Sequence, residues 1–260
     1  MLHSAQLWQG DWYLLAERAA WYAPTRTLVI ADLHMGYAAS RRAAGWAIPD
    51  IGWHPVQQRL STCLRRLVVR EVIIAGDLVE DVHGAGPARE LVRWLQSEQV
   101  RVRLVPGNHD RELGFLEGLD ITSELELGGW KIQHEPHWTP GVPTVSGHVH
   151  PVLRLPGWAG WVPCFVTLGR SLILPAFSDD AAGVNVAAYH NLGQLSIWPI
   201  AGDKVLPPES VAALVQTRSR SKPVRDKLSG RRCDTRADLQ KAVRPAPPGR
   251  GNERDPGGRK

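Results

Sequence analysis

Short apolar runs alternate with amphipathic stretches through the first 105 residues. The runs 27–31, 72–75 and 102–105 are continuously aliphatic or β-branched, the pattern of strands buried on both faces. Between them the period lengthens. Residues 35–44, rich in Ala and Arg, predict a helix broken by Gly45 and Pro49. Leu60, Leu64, Leu67 and Val68 predict an amphipathic helix over 56–70, and Leu91, Val92 and Leu95 predict another over 87–99. Alternation of this kind predicts an α/β fold, in which polar residues at the carboxyl ends of strands line a common crevice.

After residue 105 the helical periods fade. Short strands are predicted at 125–127, 130–133, 144–146, 152–155, 163–168, 172–174, 184–189 and 194–197, punctuated by Gly128, Gly141, Gly157, Gly169 and Gly193. The second half is therefore mainly β. A short helix fits before Val215, and from Gln216 onward apolar residues give way to Ser, Arg, Pro and Gly, the composition of a disordered tail. The predicted organisation is a folded domain over 1–215 and a basic, disordered tail over 216–260.

Charge sharpens that division. The chain carries a formal net charge of +5, yet 216–260 holds 14 Lys and Arg against 5 Asp and Glu, which leaves 1–215 with 17 against 21. The basic character belongs to the tail, which suits tracking a phosphate backbone and equally suits a solubilising extension or a protein-binding arm. Cys63, Cys164 and Cys233 are far apart and form no CxxC pair, so they are expected to be reduced. With no apolar stretch of signal-peptide or membrane-helix length, retention in the cytoplasm is expected.

Ligand-type residues follow the apolar runs. Asp32 and His34 follow the first, Gly76 and Asp77 the second, and Gly107, Asn108, His109 and Asp110 the third. His134 ends the run 131–133 and is preferred to the nearby His137, while Gly147, His148, Val149 and His150 follow Val145. Asp32, His34, Asp77, Asn108, His134, His148 and His150 supply carboxylate, amide oxygen and imidazole, enough for two adjacent metal ions if one carboxylate bridges. That mixture suits Mn, Fe, Zn or Co, at a spacing of about 3.5–4 Å. A hydroxide bridging such a pair attacks phosphorus in line, and the cations neutralise charge on the equatorial oxygens. With Asn108 as a ligand, His109 is left to protonate the leaving oxygen, and Glu80 is expected to orient that imidazole and favour its charged form.

In order and spacing these motifs resemble the calcineurin-like metallophosphoesterases over residues 28–150. The resemblance implies a four-layer αββα sandwich and a binuclear phosphoesterase site. One metal would take Asp32, His34, Asp77 and His150; the other would take Asp77, Asn108, His134 and His148, with Asp77 bridging and manganese the first choice. A narrower resemblance, over about 12–200, is to the ligase-associated DNA-damage-response phosphoesterases of PdeM type. It rests on Ala31-Asp32-Leu33-His34-Met35-Gly36, Arg41-Arg42-Ala43-Ala44-Gly45, Gly147-His148-Val149-His150-Pro151, Pro163-Cys164-Phe165 and Leu174-Pro175-Ala176-Phe177. Glu135 and Ser178 depart from it, each standing where Gly is usual.

The expected function is a phosphodiesterase or endonuclease acting on DNA in repair, with DNA ligase or helicase partners implied by the resemblance. The alternatives are hydrolysis of small nucleotides or phosphomonoesters on the same site, and a non-catalytic scaffold recruiting partners through its tail. Trp138, Trp158 and Trp161 fall in loops flanking the expected site, where aromatic faces can stack on bases.

Overall fold

Thr27–Ile30, Glu71–Ala75 and Arg101–Val105 form adjacent parallel strands, because their side chains are apolar on both faces and demand cover on each. The structure is a computed structural model and describes residues 5–49, 51–111, 114, 116, 118–137, 139, 141–189 and 195–209. Trp138, His190, the expected helix before Val215 and the basic tail lie outside the described residues.

The chain opens with an antiparallel meander, β1 (Ala5–Gln9), β2 (Trp12–Leu15) and β3 (Ala19–Tyr22), which joins β4 (Thr27–Ile30). Helices α1 (Tyr37–Ala43) and α2 (His54–Arg66) precede β5 (Glu71–Ala75). Helix α3 (Ala85–Ser97) leads to β6 (Arg101–Val105) and a two-residue edge strand, β7 (Asp120–Ile121). These seven strands make one sheet in sequence order.

The helices start or stop where the backbone is committed elsewhere. Met35 bridges Val79 and Gly36 adopts a left-handed conformation, so α1 begins at Tyr37. Leu67 is extended, so α2 ends four residues short of the predicted boundary. The meander was not visible as strands in the sequence, and the span 184–189 divides into a two-residue strand and a 3-10 turn.

The second sheet is built from β8 (Leu125–Leu127), β9 (Trp130–Ile132), β10 (Thr144–Ser146), β11 (Pro151–Leu153), β12 (Val162–Leu168), β13 (Ser171–Ile173), β14 (Val184–Asn185), β15 (Leu195–Ala201) and β16 (Lys204–Val205). Its order is β14-β11-β12-β13-β10-β9-β8, with β15 also paired to β12 and β16 to β15.

Alternation along the strands sorts side chains into layers. Leu28, Ile30, Val72, Ile74, Val102 and Leu104 face Val56, Leu60, Leu91 and Leu95 of α2 and α3. Val29, Ala31, Ile73, Ala75 and Val105 face Ile132, Val145, Phe165 and Leu172 of the second sheet. The outer face of that sheet carries a third apolar cluster around Leu153, Val166 and Ile197. This is the mixed α/β, sheet-dominated sandwich expected. Its fourth layer is thin, because among the described residues the cover on that face is the 3-10 turn Val186–Tyr189 and loops rather than an α-helix.

Candidate metal centre

Loops at one end of the two sheets converge. Asp32 and His34 follow β4, Asp77 follows β5, and Asn108 and His109 follow β6; His134 follows β9, and His148 and His150 lie between β10 and β11. Among the described residues, eight non-glycine residues have positive φ, and Asp32, His34, Asp77, His148 and His150 are five of them. Such backbone is costly for residues with a Cβ and clusters where side chains must be aimed. The chain turns inward at these points because the site requires it, and hydrogen bonds hold it there: Leu33 and His34 N–H both donate to Asp77 O, at 2.9 and 3.0 Å. Gly76 makes the closest approach. Its φ is +86°, and any side chain there would run into the His134 ring.

Three groups of potential ligands form, each with donor atoms within 4.8 Å of one another: Asp32, His34, Asp77 and His150; Asp77, His134 and His148; and, beside these, His34, Glu80 and His109. Asn108 completes the second, its Oδ1 lying 3.0 Å from both His134 Nε2 and His148 Nδ1. Asp77 is common to the first two groups. Asp32, His34, Asp77, His134 and His148 are all buried.

The imidazoles are aimed by their outer nitrogens. His134 Nδ1 donates to Ala75 O at 3.1 Å, His150 Nδ1 to Ala182 O at 2.9 Å, and His34 Nδ1 to the Glu80 carboxylate at 2.9 Å. Since these oxygens accept, Nδ1–H of each ring is committed outward and Nε2 is the nitrogen left facing the centre. His34 Nε2 and His150 Nε2 stand 3.3 Å apart, and His134 Nε2 is 3.0 Å from His148 Nδ1. Nitrogens at that spacing can share a proton or serve as ligands to one cation.

The charges agree. Burial alone would raise the Asp32 and Asp77 carboxyls, but His150, His134 and His34 around the first, and His134 and His34 beside the second, hold both below the usual range. Conversely, burial would lower His134, and the hydrogen bond and charge of Asp77, then the charge of Asp32, raise it to about 9. His150 is raised by Asp32 in the same way. A pocket that draws protons onto its imidazoles is one whose carboxylates favour positive charge, and the oxygen and imidazole donors suit borderline divalent ions. The donor set fits divalent metal of that kind.

Around this centre sit groups that shape it. His109 N–H donates to Asp77 Oδ1 at 2.9 Å, and its half-buried ring lies edge-on to His34. The expected partnership between Glu80 and His109 takes a different form: the Glu80 main-chain O receives His109 Nδ1 at 2.9 Å, while the carboxylate, 3.6 Å from that nitrogen, bonds His34 and Arg41 instead. Asp110 accepts the N–H groups of Leu78, Val79 and Gly107, tying the second and third ligand loops together. His137 lies outside the cluster, its Nδ1 donating to Glu135 O, and the Glu135 side chain is exposed.

Sequence reasoning missed a clamp. Arg18 donates to Ala176 O and Ser178 O, Arg59 to Phe177 O, and both pair with Asp179. The clamped loop bonds Ala31 O and Asp32 O through Phe177 and Ser178 N–H, and it presents Ala182 O to His150. Main-chain acceptors of this kind leave no mark in a side-chain motif.

Residues 25–162 match the family model described as calcineurin-like phosphoesterase. The chain belongs to that family. As a member, it is a metal-dependent phosphoesterase, with candidate ligand groups at the place where its strands end. The crystal structure of the Pseudomonas putida nuclease MPE is similar at 27% identity and a TM-score of 0.63, over 78% of this chain and 98% of that one. A comparison with curated proteins finds no match. No helix among the described residues is long and apolar enough to cross a membrane.

Proposed function

We propose that this phosphoesterase is a binuclear, manganese-dependent phosphodiesterase that cleaves DNA, acting in the cytoplasm in nucleic-acid repair. The observation that carries the reading is the sharing of Asp77 by two ligand groups, which suits a pair of ions acting on one phosphate. The similarity to a nuclease supports a diester substrate. Asp32, His34, Asp77 and His150 would hold one ion, and Asp77, Asn108, His134 and His148 the other. When bound, such a pair acidifies water and neutralises charge on phosphoryl oxygens.

The chain's own residues do the rest. Asp77 is kept ionised and fixed by His109 N–H. His109 donates Nδ1–H to the Glu80 carbonyl, so that Nε2 faces the site, and in the doubly protonated ring this nitrogen hands its proton to the leaving oxygen. Glu80 and Arg41 keep His34 turned inward.

The test is Mn-dependent hydrolysis of bis-p-nitrophenyl phosphate, p-nitrophenyl phosphate and DNA, with Asp77→Asn as control. Diester and DNA cleavage that disappear in the control support the proposal. Monoester turnover alone would replace it with a small-substrate phosphatase, and silence on every substrate with metal bound would make the chain a scaffold.

A further inference from the structure

The hairpin between β11 and β12 takes no part in the metal centre, yet it rises beside it. β11 begins one residue after His150, and Leu153 pairs with Val162 at the start of β12. β12 runs beyond Val166, its partner to Ile173 at the end of β13. From there the chain continues to Leu174, whose N–H bonds Ser146 O, and to Phe177, whose N–H bonds Ala31 O. That is the ligand end of both sheets, so the hairpin tip stands at the same end. At ~3.3 Å per strand residue, Arg154 is on the order of 13 Å along the chain from His150, a distance of about four stacked nucleotides.

The tip is unusual in what it shows to solvent. Trp12, Trp21 and Trp130 are buried in the layers; Trp46 is exposed alone, whereas Trp158 and Trp161, each 49% exposed, stand together on one hairpin. The Arg154 guanidinium lies over the Trp161 ring, 4.8 Å from its centroid. The hairpin is anchored below by buried Leu155 and Val162, and Trp158 N–H closes a turn onto Leu155 O at 3.3 Å. The far edge of the Trp158 ring is 3.8 Å from the point where Gly202 would carry a side chain, which seats it against the turn between β15 and β16. Both indoles are thus held in place while about half of each stays exposed.

We propose that Trp158, Trp161 and Arg154 form a base-stacking subsite that takes unpaired bases a few nucleotides from the scissile phosphodiester, a role that rests on the nuclease reading above. An indole face accepts any base and so tolerates sequence, and a guanidinium behind the ring strengthens the stack and lies within reach of a phosphate. Bases inside a duplex hide their faces and do not engage it. Charge leaves room for such a subsite: residues 1–215 carry 17 Lys and Arg against 21 Asp and Glu, so net charge gives the folded part no general attraction for phosphate, and stacking supplies binding of another kind.

The experiment measures kcat/KM with Mn for wild type, Trp158→Ala, Trp161→Ala and Trp161→Phe. The substrates are a single-stranded oligonucleotide, the same strand built from abasic units, and bis-p-nitrophenyl phosphate. Each alanine should lower kcat/KM on the oligonucleotide by roughly 5- to 100-fold, mainly through KM, while Trp161→Phe keeps most of it. The abasic strand should be as poor for wild type as the normal strand is for the alanine variants, with no further loss on substitution. The small diester should be cleaved equally by all four proteins. Undiminished oligonucleotide cleavage in both alanine variants would overturn the subsite, as would an equal loss on the diester or the abasic strand. Wild type that cleaves the diester but no DNA would overturn the nuclease reading, and the subsite with it.

Discussion

Gly76→Ala against Gly45→Ala separates the cost of a backbone conformation from the cost of crowding a ligand. Both glycines are left-handed, with φ of +86° and +87°. A methyl at Gly45 meets nothing within 4 Å, whereas at Gly76 it lands in the His134 imidazole. The shared backbone term is about 1–2 kcal/mol, offset by about 0.4–1 kcal/mol because alanine restricts the unfolded chain. At Gly76 the ring must also leave, which strands the buried Ala75 carbonyl at about 1–3 kcal/mol. The expectation is a loss near 1 kcal/mol for Gly45→Ala and roughly 2–4 kcal/mol for Gly76→Ala. Displacing His134 also removes one nitrogen from the second ligand group, so Mn affinity there should fall by at least about 100-fold. Urea melts in chelator measure the first quantity and calorimetric Mn titration the second. Equal destabilisation by the two variants, or wild-type Mn binding by Gly76→Ala, would refute the reasoning.

Chelation should lower the melting temperature, and returned Mn should raise it with concentration, by about 2.7 kcal/mol at a hundred times Kd; differential scanning fluorimetry reads this, and an unmoved transition would count against a metal centre. Glu80→Leu should weaken Mn binding about 10- to 100-fold by releasing His34 Nδ1, and Glu80→Gln, which keeps an oxygen acceptor, should lose less. Calorimetry on the two variants compares them. Burial pulls the Asp179 carboxyl upward, and Arg18 and Arg59 overcome this and hold it below its usual range. A depressed carboxyl contributes stability above its unfolded pKa of about 3.9 and loses it as pH falls through the folded value. The melting-temperature gap between wild type and Asp179→Asn should therefore be constant above about pH 5 and close below about pH 4.

Most of the site could be read because ligand-type residues directly follow apolar runs. Asp32, Asp77, Asn108, His134 and His148 stand where a buried strand must end, and their clustering is a consequence of strand order. The central strands were equally plain, since runs such as Val72 to Ala75 admit little else. The meander was hidden for a physical reason. Ala19–Tyr22 opens on two alanines, which have little strand preference, and it is a strand because Arg18 turns left-handed and returns the chain along β2. The Arg18 to Asp179 pair joins residues 161 apart, and no local pattern encodes such a meeting. Glu80 illustrates a subtler failure: three residues after Asp77 it could have faced either histidine, and only the path of the loop assigns its carboxylate to His34 and its carbonyl to His109.

The division of donors between the sheets has a kinetic meaning. The first ligand group takes Asp32, His34 and Asp77 from one sheet and His150 from the other; the second takes Asp77 and Asn108 from one, His134 and His148 from the other. Neither layer alone gathers a complete set, so ions can bind tightly only once the sandwich has closed. Metal binding would then act after the folding barrier, leaving the refolding rate nearly constant while slowing unfolding. Bound ions would work as a latch on the finished molecule, setting how long it persists rather than how fast it forms.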